Sequence, residues 1–199
     1  MIGYYFITDA GLSLSGNISD VKNALSAGVK FVQYRAKHLN SKDMYEEALK
    51  LRKLCKRAIF LVNDRVDIAL AVNADGVHLG QYDLPYETAR KLLGKKKIIG
   101  ITVHKIEEAK KAQRLGADYL GVSPIFATKT KQDTGKPLGT ALLRKIRNKV
   151  TVPIVAIGGI NLLNAREVID SGASGLCAIS AVVTKPDVRK EILKFQELF

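Results

Sequence analysis

The sequence contains no tryptophan, and only two cysteines and two methionines. Cys55 and Cys177 form no CxxC pair and adjoin no histidine cluster, so neither a disulfide framework nor a zinc site is expected. Two buried thiols in a reducing compartment is the reading that remains, and it points to the cytoplasm. Long apolar runs are also missing. The longest, such as residues 69–72 and 152–157, fall far short of the ~20 residues a bilayer span needs, so no membrane partner is expected. The opening Met1-Ile2-Gly3-Tyr4-Tyr5-Phe6 has no basic segment and no cleavage site, so no signal peptide is expected. The stretch Ile7-Thr8-Asp9-Ala10-Gly11-Leu12 lacks the glycine fingerprint of a dinucleotide-binding sheet. Three lone histidines, His38, His78 and His104, are not at metal-site spacings.

Acidic residues are scarce beside basic ones: 32 lysines and arginines face 19 aspartates and glutamates, a formal charge of +13. A nucleic-acid binder would gather that excess into a stripe with interleaved aromatics. Here it is spread over nearly every helix, with local runs only at residues 95–97 and 129–131. A solvated lysine-rich surface explains most of it and attraction of anionic substrates the rest, so no nucleic-acid partner is expected. The length of 199 residues, with 47% hydrophobic and 26% charged, suits one domain over 1–199. A homo-oligomer is compatible with this composition.

What the sequence does have is alternation. Short apolar runs predict strands over 4–8, 31–35, 59–63, 76–78, 98–102, 119–122, 153–157 and 175–179. Between them, helices are predicted over 18–27, 41–56, 65–72, 85–93, 106–115, 141–148, 163–171 and 187–198. Ser41 reads as the N-cap of the second helix, with Met44, Ala48, Leu51 and Leu54 on its apolar face. A related punctuation recurs before several strands: Ala27-Gly28, Asn73-Ala74-Asp75-Gly76, Leu115-Gly116-Ala117-Asp118 and Ser171-Gly172-Ala173-Ser174-Gly175. Eight strands alternating with eight helices predict an α/β fold, a single (β/α)8 TIM barrel. A doubly wound open sheet would need fewer strands or the missing fingerprint.

Such a barrel carries its site at the C-terminal ends of its strands. The second strand delivers Gln33, Arg35 and Lys37 to one face, and cations there call for an anion or a structural ion pair. The third and fourth strands deliver Asp64 and Asp83, two carboxylates that suit Mg²⁺ beside substrate phosphates. Taken singly, Asp64 could pair with Arg65 or Arg35, and Asp83 could cap the next helix. Thr102 ends the fifth strand as a phosphate donor. His104 reads as a base or as the start of the next helix. The loop over residues 123–139 is rich in hydroxyls and could close over an anion with Lys131. Gly158 and Gly159 after the seventh strand, with Ser180 after the eighth, match the recurrent phosphate cup of barrels. The mouth therefore has two anion-binding halves, suited to two phosphorylated small-molecule substrates.

Several segments carry a family resemblance. They are Tyr5-Phe6-Ile7-Thr8-Asp9, Gln33-Tyr34-Arg35-Ala36-Lys37, Asn63-Asp64-Arg65-Val66-Asp67, Ala74-Asp75-Gly76-Val77-His78-Leu79-Gly80-Gln81-Tyr82-Asp83, Thr128-Lys129-Thr130-Lys131 and Ala156-Ile157-Gly158-Gly159-Ile160. Together, in order and over nearly the whole chain, they resemble the thiamine phosphate synthases. That family joins a hydroxymethylpyrimidine diphosphate to a thiazole phosphate with Mg²⁺, releasing pyrophosphate by a dissociative route. The resemblance implies that Gln33, Arg35, Lys37, Asn63, Thr102 and Lys131 hold the diphosphate, with Tyr34 and Ala36 in the same segment. It implies Asp64 and Asp83 as Mg²⁺ ligands. Thr128 and Thr130, with Gly158, Gly159, Ile179 and Ser180, would hold the thiazole phosphate, and Lys129 in the same substrate-binding segment adds charge to the lid. Arg35, Lys37, Thr102 and Lys131 are the residues expected to act on the leaving group. The chain departs from the family pattern at Ala36, Thr102 and Lys129, where Glu, Ser and Pro are usual. The sister thiazole tautomerases resemble this chain at Val103-His104 and are the main alternative, with a non-catalytic phosphate-binding barrel behind them.

Overall fold

The computed structural model describes residues 2–128, 130 and 136–199. Eight strands are hydrogen-bonded in sequence order into a closed parallel barrel. They are β1 (Gly3–Ile7), β2 (Phe31–Tyr34), β3 (Ile59–Asn63), β4 (Gly76–Leu79), β5 (Ile98–Val103), β6 (Tyr119–Val122), β7 (Ile154–Ile157) and β8 (Gly175–Cys177). The helices are α1 (Asn17–Ser26), α2 (Ser41–Leu54), α3 (Val66–Ala71), α4 (Tyr86–Leu93), α5 (Ile106–Leu115), α6 (Gly139–Arg147), α7 (Ala165–Asp170), α8 (Ile179–Val183) and α9 (Val188–Gln196). The predicted eight-stranded barrel is thus the observed one. The eighth strand corrects the expectation: it ends at Cys177, and Ile179 and Ser180 open an extra short helix, α8. Ala178 and Ile179 read as the end of the apolar strand because a short buried strand and the start of a buried helix look alike over so few residues.

The strands are mostly apolar because both faces are covered. The outward side chains pack with the helices in a large cluster that includes Phe6, Val32, Phe60, Val77, Leu120 and Ala156. The inward ones form a smaller cluster of Ile2, Tyr5, Ile7, Leu61, Tyr119, Val155 and Cys177. α2 shows how a helix fits: Met44, Ala48 and Leu51 repeat at helical spacing and are buried. Its N-cap is Asn40 rather than Ser41, and the Asn40 side chain accepts from the Asp43 N–H at 3.0 Å.

The punctuation before the strands has a physical role at the N-terminal rim. Asp75 accepts from the Phe60 N–H at 2.8 Å and pairs with Arg52 of α2. Asp118 repeats this two strands further round the barrel, accepting from the Ile99 N–H at 2.8 Å and pairing with Arg90 of α4. Each aspartate ties a strand entrance to the preceding strand and to a helix outside it. Stability is built at this end, leaving the opposite end free for chemistry.

Candidate active site

At the C-terminal mouth, strand alternation sends Gln33 and Arg35 inward with Asn63, His78 and Thr102. These line a cavity of about 700 Å³, counting its open rim. The far wall is Thr128, Thr130, Gly158, Gly159, Ile179 and Ser180. Residues expected for the diphosphate half and for the thiazole phosphate half therefore share one cavity. Lys37 and Ala36 line an adjoining groove that continues from Arg35. Lys129 and Lys131 lie outside the described residues. Tyr34 is a correction: it is fully buried, and its hydroxyl donates to Glu47 of α2 at 2.7 Å. Alternation turns it away from the mouth into the helix layer.

The charged groups form a connected rim. Arg35 donates to Asp9 at 3.0 Å, a carboxylate on the loop after β1 that sequence reasoning had not paired with it. Lys37 hydrogen-bonds Asp64, and Arg65 pairs with Asp67, so neither predicted structural pairing of Asp64 forms. Asp83 does not cap α4, whose N-cap is Pro85; instead it accepts from the Gly80 N–H at 2.6 Å. Asp64 has φ 63, unusual for a residue with a side chain, and this turn brings it back toward Asp83. Burial alone would raise the Asp64 pKa; hydrogen bonds from Asp83 and Lys37 outweigh it and hold it below the ordinary carboxylate range. Asp83 is pushed up to about 6, first by burial and then by the hydrogen bond and charge of Asp64. Two hard oxygen donors thus face each other next to a lysine. Among the described residues no third acidic, histidine or cysteine side chain completes a metal cluster. Two carboxylates with substrate oxygens filling the remaining positions fit Mg²⁺ rather than a fully protein-held metal.

The opposite wall is made by backbone. The Ile125 N–H donates to the Ile157 carbonyl at 2.9 Å and the Phe126 N–H to the Gly158 carbonyl at 3.0 Å. The loop after β6 is thereby stitched onto the end of β7. A Cβ on Gly158 would lie 2.7 Å from Pro124, and one on Gly159 would lie 2.5 Å from the Ala127 carbonyl oxygen. Both glycines have positive φ. The pair is required by this close approach as well as by any ligand. The Thr130 N–H donates to the Thr128 hydroxyl at 3.2 Å, placing both threonines on this wall.

His104 stands apart from the cavity. Its Nδ1 lies 2.6 Å from the Ser123 carbonyl, which only accepts, so Nδ1 carries the proton. Its backbone N–H donates to Glu108 in the first turn of α5.

The chain matches the family described as thiamine monophosphate synthase over residues 4–182. It is 54% identical over 198 residues to a thiamine-phosphate synthase of Methanosarcina mazei, covering 99% of this chain and 82% of that one. A thiamine-phosphate synthase of Chloroflexus aurantiacus is 52% identical, covering 92% and 86% of the two chains. The chain belongs to the thiamine monophosphate synthase family. Among solved structures, a thiamine phosphate pyrophosphorylase from Pyrococcus furiosus superimposes with a TM-score of 0.90 at 42% identity, covering 99% of this chain and 95% of that one. The chain is accordingly an enzyme of that family, acting on small molecules. No described helix is long and apolar enough to cross a membrane.

Behind the cavity lining, in the barrel interior, lies a polar group that sequence reasoning did not assemble. Tyr5, Tyr119 and His78 are hydrogen-bonded to one another and to Gln33 and Thr102. The available signal was alternation, since Tyr5, His78 and Tyr119 share the inward register of Gln33 and Thr102.

Proposed function

We propose that this chain couples hydroxymethylpyrimidine diphosphate to thiazole phosphate, giving thiamine phosphate and pyrophosphate. The observation that carries the reading is the two-sided cavity. A carboxylate pair with Lys37 and Arg35 stands on one side, and a glycine and hydroxyl wall on the other. The first side suits a diphosphate that must leave, the second a monophosphate that only needs holding. In the reaction, the bond between the pyrimidine methylene carbon and the diphosphate oxygen breaks first. Its electrons depart with pyrophosphate. The methylene cation, stabilised by the electron-rich aminopyrimidine, then accepts the lone pair of the thiazole nitrogen. No proton is transferred, so no general base is needed.

The residues act by charge and position. Arg35, Lys37, Lys131 and the Thr102 hydroxyl would meet the charge that develops on the leaving group. Asp64 and Asp83 would hold Mg²⁺, which when bound supplies further neutralisation of that charge. Gln33 and Asn63 would orient the pyrimidine. Thr128, Lys129, Thr130, Gly158, Gly159, Ile179 and Ser180 would hold the thiazole phosphate. Ala36, beside Arg35 and Lys37, adds only backbone and a methyl group there. The buried free thiols support a reducing compartment, the cytoplasm.

The test is pyrophosphate release from the two substrates with Mg²⁺. The unaltered protein should release it, and Asp64→Ala should lose it while keeping its circular dichroism spectrum. No release, with conversion of an unaromatised thiazole carboxylate instead, would replace this reading by the tautomerase. The position of His104 outside the cavity, with Nδ1 committed to a carbonyl, supports the synthase reading.

A further inference from the structure

The interior of a barrel of this kind is ordinarily filled by branched apolar side chains. Here a chain of polar groups crosses it. Gln33 Nε2 donates to the Tyr5 hydroxyl at 2.9 Å. The Tyr5 and Tyr119 hydroxyls lie 2.7 Å apart. The Tyr119 hydroxyl lies 2.8 Å from His78 Nδ1, and His78 Nε2 lies 2.8 Å from the Thr102 hydroxyl. Five residues from five strands are joined end to end. The strands make room for the rings: a Cβ on Gly100 would lie 2.1 Å from the Tyr119 ring, and one on Gly121 2.9 Å from His78. A packing role alone would not need these groups, since Leu or Val would fill the space at less cost.

Proton counting restricts how the chain can run. Burial raises the pKa of both phenols, so each is a neutral hydroxyl with one proton. Tyr5 accepts from Gln33, so its own proton goes to Tyr119. With a neutral His78 ring the Tyr119 proton then goes to Nδ1, and the ring proton sits on Nε2 and is donated to Thr102. The Thr102 proton is left to point at a ligand in the cavity. At the other end, committing the amide nitrogen of Gln33 to the phenols turns its carbonyl oxygen to the cavity. The reverse order would present Thr102 as an acceptor, the wrong polarity beside an anion.

We propose that Tyr5, Tyr119 and His78 are positioning residues that form a one-way hydrogen-bond chain, fixing Gln33 as an acceptor for a ring amino group and Thr102 as a donor to a phosphate oxygen. The role of the chain in catalysis rests on the proposed coupling reaction; its proton arrangement does not. An exocyclic amino group satisfies the Gln33 carbonyl, whereas an oxo group at that position would set one acceptor against another, so the chain favours the aminopyrimidine over an oxo analogue.

The test has two readouts. Long-range ¹H–¹⁵N spectra of the free protein at a pH of about 7.5 read the tautomer of each ring, His38 and His104 being assigned by single substitution. His78 should be neutral with Nδ1 bare and Nε2 protonated, and His104 the opposite tautomer. A His78 ring protonated on Nδ1, alone or on both nitrogens, would overturn the proposal. Second, Tyr5→Phe and Tyr119→Phe keep ring volume and break the chain. Each should raise KM for the pyrimidine diphosphate about 5- to 10-fold, the cost of one misaligned hydrogen bond, with KM for the thiazole phosphate unchanged. Equal shifts in both KM values, or none, would also overturn it. Absence of pyrophosphate release by the unaltered protein would overturn the reaction and not the proton arrangement, which the spectra read without substrate.

Discussion

Asp64 shows how one residue can serve function at the expense of conformation. Its φ of 63 lies in the region favoured by glycine, and its carboxylate faces Asp83. The positive φ costs about 1 kcal/mol or more, while the partly exposed ion pair with Lys37 returns at most about 1 kcal/mol. Asp64→Gly should therefore melt at or above the temperature of the unaltered protein, yet lose pyrophosphate release. Calorimetry together with the assay checks both halves. Asp83 carries a pH prediction. Its pKa is raised to about 6, so it holds a proton below that pH and a metal must displace it. The Mg²⁺ concentration for half-maximal activity should stay flat above a pH of about 7 and climb as pH falls through about 6. A flat dependence across that window would remove Asp83 from the metal site.

At the scale of elements, the two rims of the barrel are divided by task. The N-terminal latches of Asp75 and Asp118 tie strands to helices and touch no part of the cavity. Asp118→Ala leaves the Ile99 N–H and Arg90 without this partner. It should cost about 1–2 kcal/mol, lowering Tm by a few degrees with kcat and KM unchanged. At the other rim the loop after β6 and the end of β7 act as one wall. Gly158→Ala would push a Cβ into Pro124 and strain a positive φ. It should raise KM for the thiazole phosphate far more than KM for the diphosphate, which steady-state kinetics with each substrate varied in turn would show.

The whole molecule carries +13 and is proposed to act on two anions. Its field gathers substrates at a mouth already lined by cations. Raising salt from about 0.05 to about 0.5 M shrinks the screening length severalfold, so kcat/KM for the diphosphate should fall by roughly an order of magnitude. The fall should be in KM rather than kcat, because the groups inside the cavity are screened less. A salt-independent kcat/KM would assign the surface charge to solvation alone.

Strand and helix order, and hence the barrel, were readable in the chain because they are set by local periodicity. Buried parallel strands are apolar on both faces, and helices repeat every three or four residues. The rim residues were readable too, since position at a strand end fixes their end of the barrel. Local pattern failed where two structures share it: Ala178 and Ile179 are apolar as either strand or helix, and packing of Ile179–Val183 against α9 and the loop after β1 makes it helix. Partners were decided only by the tertiary structure. Arg35 meets Asp9 and Lys37 meets Asp64 because pairing of the strands sets which strand ends are neighbours, and Tyr34, turned outward by alternation, finds Glu47 where α2 packs on the sheet. Tyr5, His78 and Tyr119 span 114 residues of sequence, and nothing in the sequence links them to one another. Only barrel closure brings their polar tips within hydrogen-bond distance, and so assembles the polar group behind the cavity lining.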